Sequence, residues 1–149
     1  MRLTSFTDFG MRALMRMASE PDRTYSTAEL ADEFGLSRNH LTKIIATLAK
    51  AGIVTTRRGG GGGAMLARSA DQIRLGAVVR LLGAGQPMVE CFAATGGSCT
   101  LTGSCRLTGR LRSAQAAFLA DLDRSTLADV ALPSRVALRP ASRVSARCI

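Results

Sequence analysis

The chain has 149 residues, 46% of them hydrophobic and only 4% aromatic, with no Trp. That suits one domain, or one small domain with an appendage, and argues against both wholesale disorder and a stacking platform for single strands. Twenty basic residues against eleven acidic give a net charge of +9, which favours a polyanionic partner. No apolar run approaches the roughly 18 residues of a membrane span and the opening Met1-Arg-Leu-Thr-Ser-Phe lacks a signal-peptide core, so a cytoplasmic protein without membrane contact is expected.

The expected elements follow in chain order. Thr7 or Ser5 caps a helix over 8–18, with Leu14, Met17 and Ala18 on its inner side. Ser26-Thr-Ala-Glu29 has the form of a capping box and opens a second helix, from Thr27 to Phe34, that stops at Gly35. Ser37 caps a third helix running to about Ala51. Its Leu41, Ile44, Ile45 and Leu48 make a buried stripe, while Asn39, Lys43, Ala46 and Lys50 face the other way. Two helices joined by a short glycine-containing turn, the second with a basic outer face, form a helix-turn-helix. Two β-capable segments, from Ile53 to Arg58 and from Ala64 to Arg68, flank five successive glycines. At this position they read as the wing of a winged helix, with Arg57, Arg58 and Arg68 supplying charge. A fourth helix covers Leu75 to Leu82. Ser104 caps a long fifth helix to about Arg124, on which Leu107, Leu111, Ala114, Phe118 and Leu122 form one apolar stripe. A second copy of the chain is the economical partner for that stripe.

The fold class is therefore mainly α: a winged helix-turn-helix head with a small β-hairpin wing, a cysteine loop and a long dimerisation helix. The boundaries are 1–88 for the DNA-binding head, 89–105 for the loop, 106–132 for the dimerisation helix and the short segment after it, and 133–149 for a basic tail expected to be disordered. On the recognition helix, Asn39 and Lys43 suit base edges, while Arg38, His40, Arg57 and Arg58 suit phosphates. Two heads related by a dyad imply double-stranded operator DNA with an inverted repeat.

Three of the four cysteines, Cys91, Cys99 and Cys105, fall within fifteen residues, spaced C-x7-C-x5-C. Structural disulfides are disfavoured in the cytosol. Zinc sites favour close C-x2-C pairs and four strong ligands, and this spacing offers no such pair. An iron–sulfur cluster, three unligated thiols and a regulatory disulfide stay open on spacing alone. Cys148, in the tail, is expected to be a free thiol. No acid–base constellation, nucleophile elbow or phosphate loop is present, so an enzyme is not expected.

Several stretches together resemble the Rrf-type winged-helix transcriptional regulators, and within them the nitric-oxide-sensing NsrR branch: the opening from Met1 to Leu14, Leu36-Ser-Arg-Asn-His40, the wing pattern Arg58-Gly-x-x-Gly-Gly-x-x-Leu66, and the stretch from Leu119 to Val130. The resemblance covers residues 1 to about 132. It implies a homodimeric repressor whose iron–sulfur cluster, on Cys91, Cys99 and Cys105, is damaged by nitric oxide so that operator DNA is released. The gap between Cys91 and Cys99 is similar to that of RirA, which implies iron or cluster status as the alternative signal; a zinc-stabilised or metal-free DNA-binding module is the third reading. Members that hold a 2Fe–2S cluster place a His where this chain has Thr108, so the resemblance points to 4Fe–4S, with 2Fe–2S as the alternative. It also implies Asp8 of the partner subunit as the fourth ligand. Read from the residues, Asp8 favours a helix's first turn and pairs with Arg12 four residues on.

Overall fold

A computed structural model describes residues 3–57, 59, 62–94, 96–101 and 103–133. It contains α1 (Ser5–Ser19), α2 (Thr27–Phe34), α3 (Arg38–Lys50), the hairpin β1 (Val54–Arg57) and β2 (Gly63–Leu66), α4 (Leu75–Leu82) and α5 (Arg106–Leu122), with short 3-10 turns at Ala70–Gln72, Glu90–Phe92 and Ala128–Val130. Local chemistry explains the helix ends. Thr4, rather than Thr7 or Ser5, caps α1 by accepting from the Thr7 amide at 3.1 Å. Ser26 accepts from the Glu29 amide at 3.0 Å, but the Glu29 carboxylate turns to Arg23 instead of closing the capping box. Gly35 takes the left-handed conformation (φ 66°) and lets the Leu36 amide reach back to the Ala31 carbonyl at 2.8 Å, which ends α2. Ser37 accepts from the His40 amide at 3.2 Å and starts α3.

The core gathers Ala13, Leu14 and Met17 of α1, Leu30 and Ala31 of α2, the Leu41-Ile44-Ile45-Leu48 stripe of α3, and Val78 and Leu82 of α4. Burying one such Leu or Ile is worth about 1.5–3 kcal/mol relative to leaving it exposed, so each residue of the α3 stripe contributes on that scale. The wing is antiparallel, with Val54 opposite Leu66 and Arg57 opposite Gly63. Tyr25, in the turn between α1 and α2, adds a bridge to it: its amide and carbonyl bond to Ala64 at 2.9 and 2.8 Å. Arg68, expected to add charge to the wing, instead donates to the Gly52 and Ala51 carbonyls at 3.2 and 3.3 Å. It is spent on the C-terminal end of α3, where unpaired carbonyls attract a cation.

Beyond α4 the architecture changes. No residue of α5 is buried. Its N-cap is Cys105, not Ser104, whose hydroxyl donates to the Leu101 carbonyl. The C-terminal half of the helix packs on α4, where Gly76 lies so close to the Leu119 carbonyl and the Asp123 carboxylate that a Cβ has no room. Arg80 pairs with Asp123 at 2.6 Å alongside. The chain then returns to the head: Leu127, fully buried, donates its amide to the Ile73 carbonyl at 2.8 Å, and the Leu75 amide reaches the Ser125 carbonyl at 3.1 Å. The expected disordered tail lies outside the described residues from 134 onward, and Cys148 with it. Among the described residues no helix is long and apolar enough to cross a membrane.

Candidate DNA-binding face and cysteine site

The outer face of α3 is built by its inner one. With Leu41, Ile44, Ile45 and Leu48 locked in the core, the helical period turns Asn39, Lys43, Ala46 and Lys50 to solvent, and all four are exposed. Arg38, the first residue of the helix, and Arg57, the last of β1, are exposed as well. Thr42 and Thr47 lie on the same side, but their hydroxyls donate to the Arg38 and Lys43 carbonyls at 2.8 and 3.0 Å, whereas the side chains of Asn39, Lys43 and Lys50 make no hydrogen bond or ion pair among the described residues. Arg58 lies outside the described residues.

His40 departs from the expected phosphate contact. Its ring lies against Phe6 and Phe9 of α1, with centroids 5.9 and 6.4 Å apart. Its Nε2 is buried without a hydrogen-bond partner among the described residues. The third residue of α3 is thus used to join the recognition helix to α1, because the first turn of α3 crosses the aromatic face of α1. Asp8, on the same stretch of α1, forms the ion pair with Arg12 at 2.9 Å, and the Arg12 guanidinium stands 5.3 Å over the Phe9 ring.

The three cysteines lie between α4 and the start of α5, each half-buried. Cys91 sits in the Glu90–Phe92 turn, Cys99 in the following loop, and Cys105 at the N-cap of α5. Two contacts dock the turn onto α5. The Cys91 sulfur is 3.8 Å from the Thr108 hydroxyl, and the Arg112 guanidinium stands 5.1 Å over the Phe92 ring, one helical turn further on. The Thr108 hydroxyl also turns to Cys105, and together with the Thr108 and Leu107 amides it draws that thiol below its ordinary value. A third contact closes the loop: the Glu90 carboxylate accepts from the Ser98 amide at 3.0 Å and from its hydroxyl at 2.7 Å, and these bonds hold it below the usual carboxylate value. Cys91 therefore lies just inside the loop that this clasp closes, and Cys99 just outside it. Among the described residues no three His, Cys, Asp or Glu side chains stand close enough to hold a metal ion. The donors fit a thiolate-held cluster in kind, since soft sulfur ligands suit iron–sulfur chemistry. Their present separation means the loop must tighten around it.

Sequence reasoning noted Thr108 only for the His it replaces, and missed its contact with Cys91, the Arg112–Phe92 contact and the Glu90–Ser98 clasp. Thr108 and Arg112 carried one faint signal: they follow Cys105 at positions i+3 and i+7, on one face of α5. The clasp carried none, because a carboxylate reaching across a loop has no periodicity.

Residues 3–132 match the model of Rrf2, iron-dependent transcriptional regulator. The chain belongs to the Rrf2 family. Solved structures agree on the fold. CymR, the global cysteine regulator of Bacillus subtilis, has 24% identity and a TM-score of 0.68, over 88% of this chain and 96% of that one. IscR of T. potens has 27% identity and a TM-score of 0.66, over 87% and 85% of the two chains. An oxidized form of CymR from Staphylococcus aureus has 23% identity and a TM-score of 0.66, over 88% and 96%. This Rrf2 protein is thus a DNA-binding transcriptional regulator with a winged-helix head, and the family and these neighbours are regulators rather than enzymes.

Proposed function

We propose that this Rrf2 regulator is a homodimeric repressor that releases its operator when nitric oxide attacks an iron–sulfur cluster on Cys91, Cys99 and Cys105. The observation that carries the sensing reading is the meeting of Cys91 and Cys105 at one hydroxyl, Thr108, on the first turn of α5. Bound there as 4Fe–4S, with Asp8 of the partner subunit as fourth ligand, the cluster would supply an iron that reacts with nitric oxide. The residues of the chain do the rest. Cys105 begins α5, and α5 is fixed to α4 by Gly76 and the Arg80–Asp123 pair. α4 packs on α1, and α1 grips the recognition helix through Phe6, Phe9 and His40. A shift at Cys105 or Asp8 therefore has a packed route to Asn39 and Lys43. To change DNA affinity, the signal must favour one of the two arrangements over the other.

Asn39 and Lys43 read base edges, while Arg38, Arg57 and Arg58 bind phosphates and position the head. The uncovered N-terminal half of α5, where Leu107 is 61% exposed and Leu111 is half-buried, continues along the same stripe to half-buried Phe118 and is the dimer surface. Two heads on it bind an inverted repeat with half-sites about one helical turn apart. The iron dependence named for the family favours a second reading, in which iron or cluster status is the signal.

The deciding experiment is an anaerobic titration of reconstituted protein, following visible absorbance and operator binding together. Nitric oxide at cluster stoichiometry should abolish both before mild iron chelation does; the reverse order installs iron status as the signal. Cys91→Ala, Cys99→Ala and Cys105→Ala should each remove the absorbance, and Cys148→Ala should not. A colourless reconstituted wild type rejects the cluster altogether.

A further inference from the structure

The cysteine site holds a second chemistry that needs no metal. Cys91 and Cys105 are fourteen positions apart in sequence, yet the Cys91 sulfur stands 3.8 Å from the Thr108 hydroxyl, and Cys105 is the N-cap of the same helix, three residues before Thr108. The approach is built from both sides. Phe92 under Arg112 holds the Cys91 turn down on α5, and the Glu90–Ser98 clasp closes the loop behind it. Neither contact involves a cysteine, so the arrangement persists when no cluster is bound. A disulfide requires its two Cβ atoms about 3.5–4.5 Å apart, so ring closure brings the Cys91 turn along α5 toward its N-cap.

We propose that in the cluster-free protein Cys91 and Cys105 form an intramolecular disulfide with small-molecule disulfides as oxidant, and that this bond blocks cluster uptake until it is reduced. The exchange balances in two steps. The Cys105 thiolate attacks one sulfur of the small disulfide, giving a mixed disulfide and one small thiol. The Cys91 thiolate then attacks the Cys105 sulfur and expels the second small thiol. The two cysteines lose two electrons and two protons, and the small disulfide gains them. Thr108 is the positioning residue, since its hydroxyl holds the Cys91 sulfur at the first turn of the helix that Cys105 caps. The consequence for cluster uptake rests on the reading of these cysteines as cluster ligands, whereas the disulfide itself does not.

The test uses the full-length cluster-free chain carrying Cys148→Ser, equilibrated with oxidised and reduced glutathione. Chymotrypsin, cutting after Phe92 and Leu101, separates the three cysteines onto different peptides. The expected map joins the Cys91 peptide to the Cys105 peptide. Cys99→Ser should still close its ring, whereas Cys91→Ser and Cys105→Ser should stop at the glutathione adduct. Thr108→Val should slow ring closure by about tenfold, with helix content unchanged, because access and alignment set exchange rates. A map joining Cys99 to either neighbour, ring closure in Cys91→Ser, or wild-type kinetics in Thr108→Val would each overturn the proposal. Cluster reconstitution after the same oxidation, with and without reductant, reports the block on uptake. Oxidised protein that loads a cluster as readily as reduced protein would remove the regulatory half. Because the peptide map is made without iron, its failure leaves the nitric oxide reading standing, and a colourless reconstituted protein leaves the disulfide standing.

Discussion

The head and the arm of this molecule are stabilised in different ways. In the head, Thr4, Ser26 and Ser37 each cap a helix, and Leu14, Leu30, Leu41, Ile44 and Leu48 lose all contact with water. In the arm, α5 is twice as long as α4 yet buries nothing fully, its cap is a cysteine that makes no side-chain cap bond, and its first apolar residue, Leu107, is 61% exposed. The head can therefore fold on its own apolar surface, whereas the arm lacks enough burial to fix its N-terminal half alone. A segment left unfinished in this way is suited to switching, because a partner chain, a cluster or a disulfide can decide its position at small cost.

Truncation should expose the contrast most strongly. Leu41→Ala, at the centre of the α3 stripe, should cost the head about 2–5 kcal/mol in urea unfolding. Leu107→Ala should fall within about 0.5 kcal/mol for the isolated monomer, as surface changes do. Comparable losses at both positions would erase the distinction between head and arm.

Phe118→Asp tests what completes the arm. Phe118 lines a cleft of about 390 Å³ between the start of α1, the end of α4 and α5, together with Leu3, Val79 and Leu119. Burying such a ring is worth about 1.5–3 kcal/mol for each copy. The variant should sediment as a monomer with an intact head and sharply weakened operator binding, and an unchanged sedimentation coefficient would place the dimer surface elsewhere.

Lys43→Ala should cost about 1–3 kcal/mol on the specific operator and relax discrimination, while Arg57→Ala should weaken specific and random DNA alike. Equal losses for Lys43→Ala on both would make it a phosphate contact. His40→Ala separates packing from contact: it should loosen α3 against Phe6 and Phe9, lowering thermal stability as well as affinity, whereas a phosphate ligand would change affinity and its salt dependence alone.

The smallest effect is a pH dependence at the α1–α2 turn. Hydrogen bonds from Arg16 and then Arg23 hold the Glu20 carboxyl below its ordinary value of 4.5. A lowered folded-state value means the stabilisation is present above that ordinary value and is lost as pH falls through the lower, folded one. Urea midpoints followed downward from neutral pH should decline more steeply in wild type than in Glu20→Gln. Parallel curves would show that this exposed network contributes nothing measurable.

Much of the head was legible in the sequence because its rules are local. Cap residues act within three or four positions, and a helix at 3.6 residues per turn sorts Leu41, Ile44, Ile45 and Leu48 from Asn39 and Lys43 without reference to the rest of the chain. Even so, Thr4 displaced the expected cap at Thr7 or Ser5, and the Glu29 carboxylate left its capping box for Arg23, since neighbouring groups compete for the same donors. The cysteine spacing marked the candidate site but left both its chemistry and its geometry open.

Amino-acid order alone determined that this chain has a capped helix-turn-helix, a glycine-tipped wing, a basic outward face on α3 and three clustered thiols. Only the tertiary structure decided that His40 turns inward to Phe6 and Phe9, that Arg68 serves the end of α3, that Leu127 returns to the core, and that the Cys91 turn docks on Thr108 of α5. Each of those outcomes depends on which surface lies across a gap of many residues. A flexible side chain such as Arg, His or Glu takes whichever partner the packed backbone brings within reach, and no local propensity encodes that choice.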